Sequence, residues 1–201
     1  MRGRRLGAAL ATTLVASLAL VACAESERGE GEGTPDPLIF GAAEDPKVLD
    51  PALASDGETF RVTRQIYETL VQPELGGAEI VPGLAESWEP DETGTVWTFH
   101  LKRGVKFHDG TDFDAEAVCF NFDRWYNFRG LMQNPDISYY WQAVFGGFAQ
   151  NEEEYADALG ESLYKSCEAA DPYTAVITTT RVTSAFPAAL ALAAFSIASP
   201  T

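Results

Sequence analysis

Bases are scarce in this chain: 14 Lys and Arg stand against 30 Asp and Glu, a formal charge of −16. Three of those bases, Arg2, Arg4 and Arg5, precede residue 23, where there is no acid. From Cys23 onward, 11 bases therefore face 30 acids, a formal charge of −19. Nucleic-acid binding needs a basic face, and so does electrostatic attachment to an anionic bilayer. The composition argues against both and describes a solvated acidic surface. Histidine is rarer still, with His100 and His108 alone, and cysteine is limited to Cys23, Cys119 and Cys167. These five residues match no metal-ligand spacing, so neither a metal nor a cofactor is expected. Neither Gly-x-Ser-x-Gly nor His-Glu-x-x-His occurs, which removes two common hydrolytic sites. An enzyme is not expected, and an exported hydrolase is only a minor alternative. No internal repeat is evident.

Long apolar runs are also few. Leu6–Ala22 is uncharged but diluted by Thr12, Thr13 and Ser17, and it falls short of the about 20 apolar residues that a span requires. Behind the basic opening MRGRR, it reads as a secretory signal, residues 1–22. Leu20-Val21-Ala22-Cys23 resembles the bacterial lipobox. The resemblance implies a diacylglycerol on the Cys23 thiol, cleavage before it and acylation of the new amino end. One acyl chain holds a protein weakly, and two or more hold it durably. The alternatives are an ordinary cleaved signal, or an uncleaved anchor, with an incidental cysteine. Residues 23–37 follow, with Glu25, Glu27, Glu30 and Glu32 among glycines and prolines and no large apolar side chain. Such a segment cannot bury enough surface to order itself and reads as a flexible acidic tether.

The remaining length permits one ordinary domain or two small ones. An exported chain meets an oxidising compartment, so a Cys119–Cys167 bridge is expected, with two separate buried thiols as the alternative. The bridge would close a loop of about 48 residues and contribute on the order of 4 kcal/mol.

Along the body, Leu38–Ala42 reads as a strand and the Asp45-Pro46 and Asp50-Pro51 pairs as turns. Thr59–Leu70 has helical spacing at Val62, Ile66 and Leu70. Trp88–Leu101 predicts a hairpin, with Trp97, Phe99 and Leu101 on one face and Pro90–Gly94 as the turn. Gly104–Phe107 predicts a further short strand. Asp114 is placed to cap a helix that carries Val118, Phe122 and Trp125 inward. Residues 128–150 combine breakers with Tyr139, Tyr140, Trp141 and Phe145, as loop packing or as a contact surface. Glu152–Tyr164 predicts an exposed helix and Tyr173–Arg181 a strand. Ala185–Phe195 is apolar almost all round and predicts a helix that needs cover on every side.

Val81–Val118, VPGLAESWEPDETGTVWTFHLKRGVKFHDGTDFDAEAV, resembles the family 5 extracellular solute-binding proteins. Leu84-Ala85-x-x-Trp88, the aromatic hairpin, Gly104-Val-x-Phe-His-Asp-Gly110 and Asp114-Ala-Glu116 carry the resemblance. LIFGAAEDPKVLDPA, QIYETLV and AFPAALALAAFSIASP extend it over residues 38–201.

The resemblance implies a mixed α/β fold of the periplasmic-binding-protein class II. It implies a first segment of domain I at 38–54, domain II at 55–182 and a return into domain I at 183–201. Family members are much longer, so an N-terminal fragment lacking domain III is expected, and an uncovered helix near residue 195 agrees with that. The implied function is the substrate-binding component of an ABC importer. Lobes close by hinge motion on a peptide or similar small solute, and the closed form docks on permease subunits. A monomer is expected, exported and held to the outer face of the cytoplasmic membrane through its lipid alone. The resemblance places Asp45, Pro46 and Lys47 on the cleft floor and Tyr139, Tyr140, Trp141 and Phe195 on the near wall. His108, Asp109 and Gly110 are expected to be structural. The alternative is a truncated, non-transporting interaction protein.

Overall fold

The structure is a computed structural model that describes residues 39–201. The signal, the lipobox with Cys23 and the acidic tether lie outside the described residues. The chain divides into two units, Met1–Gly41 and Ala42–Thr201, and the elements below all belong to the second.

Alternating side chains build its main sheet. β1 (Val71–Pro73) and β2 (Ile80–Pro82) form a small ladder. β3 (Ala85–Pro90), β4 (Val96–Leu101), β5 (Tyr164–Asp171) and β6 (Thr174–Thr179) form a sheet in the order β3-β4-β6-β5. Every pairing is antiparallel. In β4, Trp97, Phe99 and Leu101 face the core while Val96, Thr98 and His100 stay half-exposed, and β6 repeats the pattern with Ala175, Ile177 and Thr179. The register sets Trp97 opposite Ile177 and Phe99 opposite Ala175, so apolar residues meet across strands on one face. The Asp91 carboxylate closes the β3–β4 turn by accepting the Thr95 and Val96 amides and the Thr93 hydroxyl. Led by the Val96 amide, these bonds hold its carboxyl below the ordinary range. Gly94 supplies the positive φ, 70°, in that turn.

Among the described residues, four helices accompany the sheet: α1 (Gly57–Thr63), α2 (Ala115–Tyr126), α3 (Tyr139–Phe145) and α4 (Phe186–Leu190). Short 310 turns occupy Pro51–Leu53, Gly130–Gln133 and Ala193–Phe195. Asp114 caps α2 by accepting the Ala117 amide at 2.8 Å, and Glu116 in the first turn and Arg124 in the last suit its dipole. Val118, Phe122 and Trp125 are buried along one stripe. Cys119 on the same helix is bonded to Cys167 of edge strand β5, a sequence separation of 48. An aromatic core fills the space between. Trp141 stacks on Phe145 at 4.3 Å, and Phe145 meets Phe122, Phe186 and Phe195 edge-on. The last segment is fastened from two sides. The Ile197 amide donates to Glu68 O at 2.9 Å. The Asn121 side chain donates to Ala198 O at 2.8 Å and accepts the Ala198 amide at 3.1 Å.

Several expectations are corrected. Residues 39–42 are not in a strand; a short apolar run does not by itself make a ladder, which is a non-local structure. The helix expected to reach Leu70 stops at Thr63, and Glu68 and Val71 instead join β-pairings. Gly104–Phe107 contributes one isolated bridge, Lys106 to Asp112, and no strand. Residues 128–150 contain a helix, α3. Glu153–Ala158 forms turns, and Tyr164 opens β5.

The expected helix Ala185–Phe195 is broken at Ala191–Leu192 into α4 and a 310 turn, and it is covered. Phe186 packs on Trp97, Phe99 and Phe145, and Phe195 on Trp125 and Phe145. The sheet and α2 supply the neighbours that a polarity count along the chain could not locate, so the large side chains of this run are buried or half-buried and only small ones such as Ala185 and Ala188 stay exposed.

Candidate functional site

Asp45, Pro46 and Lys47 are exposed. The Lys47 ammonium stands 3.9 Å from Glu44, an exposed ion pair of little energetic weight. The backbone of the segment is better held. The Lys47 amide donates to Thr59 Oγ1 at 3.0 Å, and Thr59 is fully buried at the start of α1. Asp56 caps α1 by accepting the Thr59 amide at 2.9 Å and the Thr59 hydroxyl at 2.8 Å. Those two bonds, the amide first, hold the Asp56 carboxyl below the ordinary range.

The aromatic cluster divides by helical phase. Successive residues of α3 turn by about 100°, so three consecutive rings cannot share a face. Tyr139 is 53% exposed. Tyr140 is half-buried and meets the Phe60 ring edge-on at 5.5 Å. Trp141 is 2% exposed, and its indole N–H donates to Gly147 O at 3.1 Å. Phe195 is 3% exposed. Trp141 and Phe195 are therefore core residues, and their rings offer almost no surface to a solute.

Of the remaining candidates, Tyr140 packs against the same small cluster as Val48, the residue after Lys47. Ala54, Phe60, Ala193 and Ala194 form a small buried cluster, with Val48 and Tyr140 packed against it. Three separated stretches thus meet at one edge: the loop through Lys47, the start of α3, and the 310 turn that ends at Phe195. Sequence reasoning did not pick out Thr59 or Phe60, which join the loop to α1. The Asp56-x-x-Thr59 spacing, a helix-capping pattern, was the available signal.

Two cavities of about 390 and 620 Å³ lie elsewhere. The first is lined by Tyr67, Leu84, Phe107, His108, Ile197 and Ser199, among others. The second is lined by Tyr126, Asn151, Glu161, Ser162, Tyr164 and Lys165, among others. Neither includes any of the seven candidates. Size favours the cavities and chemistry favours the edge. The cavities match no expected contact, and the candidates line neither of them, whereas a small-molecule site ordinarily surrounds most of its ligand.

His108, Asp109 and Gly110 form a turn at the rim of the smaller cavity. Asp109 accepts the Thr111 amide and hydroxyl and the hydroxyls of Ser199 and Thr201. The Ser199 bond, then the others, hold its carboxyl well below the carboxylate range. This arrangement fastens one segment to another. Among the described residues, no group of three His, Cys, Asp or Glu side chains is placed to hold a metal ion, and no helix is long and apolar enough to cross a membrane.

Comparison with known proteins agrees with the architecture. The family model described as bacterial extracellular solute-binding proteins, family 5 middle, matches residues 79–201. The chain is 34% identical over 170 residues to the dipeptide-binding protein of Escherichia coli K12, covering 81% of this chain and 29% of that one. It is 30% identical over 202 residues to heme-binding protein A of Haemophilus influenzae, covering 92% and 35%. Among solved structures, the ABC transporter-associated periplasmic binding protein DppA of Helicobacter pylori, in complex with the peptide STSA, superimposes with a TM-score of 0.56 at 33% identity. That match covers 78% of this chain and 29% of the other. The chain thus spans about a third of the length of these relatives. By the family match over more than half its residues and by the shared mixed α/β fold, the chain belongs to the family 5 bacterial extracellular solute-binding proteins.

Proposed function

We propose that the chain acts in the substrate-binding component of an ABC importer that captures a peptide or a similar small solute. Family membership supports the importer role. The packing of Val48, next to Lys47, and of Tyr140 on one small cluster supports the position of the solute wall, with the Lys47 amide held by Thr59 and Tyr140 against Phe60. Lys47 and Asp45 present charge of either sign to terminal groups, Tyr139 offers a ring and a hydroxyl, and Trp141 and Phe195 stiffen the wall from within. In this reading, residues 38–54 and 183–201 belong to one domain and 55–182 to another. Capture takes a second lobe that closes over the wall by hinge motion, and the closed form engages permease subunits. The chain is exported, works as a monomer and is tethered through lipid on Cys23 to the outer face of the cytoplasmic membrane.

The test is calorimetric titration with a dipeptide and tripeptide set, on this chain and on a version extended to the length of its relatives. Saturable binding by the extended version, weakened by Tyr139→Ala, is expected, with weaker binding by the short chain. If neither version takes any peptide, and native mass spectrometry finds no co-purified solute, the proposal fails.

A further inference from the structure

The exposed loop through Lys47 and the region that carries Tyr139 are far apart in sequence, and a chain of polar and aromatic contacts joins them. The Asp50 carboxylate has two partners. Its Oδ1 accepts the Ala52 amide at 3.1 Å, capping the 310 turn Pro51–Leu53. Its Oδ2 accepts a hydrogen bond from Arg124 Nη2 in the last turn of α2. The guanidinium in turn lies over the Phe128 ring, 5.4 Å from the centroid. Phe128 is buried, and its carbonyl accepts the Gln133 side-chain amide at 2.7 Å. Gln133 is itself fully buried, donating to Gln150 O at 2.8 Å and accepting the Glu152 amide at 2.8 Å. Arg124 is therefore seated on a platform anchored in the same 128–152 region that leads into and out of α3.

The Arg124 and Asp50 side chains are 32% and 26% exposed. A pair so placed is screened less than a surface pair, and a planar fork held over an aromatic ring has little freedom left to lose. On the other side of Val48 and Leu49, the Lys47 amide is fixed to Thr59. The loop is pinned at Lys47 and at Asp50, and of these two pins only the one at Asp50 leads to α2 and Phe128.

We propose that Asp50 and Arg124 are a positioning pair for solute capture: they set where Asp45–Lys47 stand relative to Tyr139, without touching the solute. This rests on the reading of that loop as part of the solute wall. Asp50→Asn separates the two jobs of the carboxylate, because the amide oxygen can still cap Ala52 while the charge for Arg124 is lost. Arg124→Met removes the fork and keeps the length, and Arg124→Lys restores the charge without the fork.

The test combines amide exchange by NMR, thermal melting and titration with a defined dipeptide mixture on the full chain. In Asp50→Asn and Arg124→Met, exchange at Lys47 is expected to rise about tenfold while Phe99 and Ile177 in the sheet change less than about twofold. Dissociation constants for any dipeptide retained by the wild type should rise about tenfold, with Arg124→Lys between. Unchanged exchange at Lys47 in both variants overturns the proposal. So does an equal rise at Lys47, Phe99 and Ile177, which would make the pair a general stabiliser. If the variants release Lys47 and the wild type takes none of the dipeptides, the positioning of the loop stands and its assignment to a peptide wall falls.

Discussion

Removing the Cys119–Cys167 bond is the most quantitative perturbation the structure offers. The bond joins α2 to the edge strand β5 across a sequence separation of 48. In the folded protein α2 already packs against that strand, so breaking the bond loses few native contacts. The larger effect is on the unfolded chain, which regains the freedom of a long loop. The loop-entropy relation gives roughly 4 kcal/mol at 25 °C for a closure of this length. For a domain the size of Ala42–Thr201, each kcal/mol moves the melting temperature by about 2–4 °C, so a fall of roughly 8–16 °C is expected. Two routes separate the loop effect from side-chain packing: reduction of the wild-type protein, and the double substitution Cys119→Ala with Cys167→Ala. Circular dichroism melts and urea titrations should agree between them, and the urea slope should rise because a chain without the crosslink exposes more surface when unfolded. If oxidised and reduced proteins melt within about 2 °C of each other, the loop-restraint account of this bond is wrong.

Four further outcomes are expected. Asp56, Asp91, Asp109 and Asp171 all have carboxyls held below their ordinary range, each chiefly by hydrogen bonds. Their contribution is present above the unfolded value of about 3.9 and is lost as pH falls below it, so urea stability should drop steeply below about pH 4, and less steeply in Asp109→Asn. Trp141→Ala should destabilise by about 3–5 kcal/mol in urea titration, whereas the exposed Tyr139→Ala should change stability by less than about 0.5 kcal/mol while weakening solute binding. Gly83→Ala should destabilise by about 1–3 kcal/mol in the same assay, because a Cβ there would lie 2.4 Å from the backbone oxygen of Thr69. Cys23→Ser should abolish incorporation of labelled fatty acid into the protein, and a wild-type protein that takes up no label would contradict lipid tethering.

Elements that depend on local chemistry were readable in the residues. The β3–β4 hairpin announces itself through the alternation of Val96–Leu101 and the Asp91–Gly94 turn, and α2 through the Asp114 cap and its apolar stripe. Elements that depend on partners were not. Glu68 and Ile197 are 129 positions apart and pair as a bridge, which ends a helix that the spacing of Val62, Ile66 and Leu70 favoured. Tyr164–Asp171 has a weak strand pattern and becomes β5 because β6 is there to receive it. At the candidate site, family resemblance named the stretches but could not sort Tyr139 from Trp141. Adjacent aromatics look alike in a string, and the phase of α3 separates them into surface and core.

The Asn121 side chain grips the main chain of residue 198 on both its donor and its acceptor. Such a grip is blind to which side chain residue 198 carries, so that position can vary freely without loosening the fastening. Residue 121 has no such latitude. A carboxylate there would keep the bond from the Ala198 amide but set a negative oxygen against the Ala198 carbonyl, and a longer amide would overshoot both. Hydrolysis of this single amide, the ordinary chemical ageing of asparagine, would therefore cost the segment one of its bonds and add a repulsion there, while the Ile197 amide on Glu68 and the Ser199 and Thr201 hydroxyls on Asp109 still hold it.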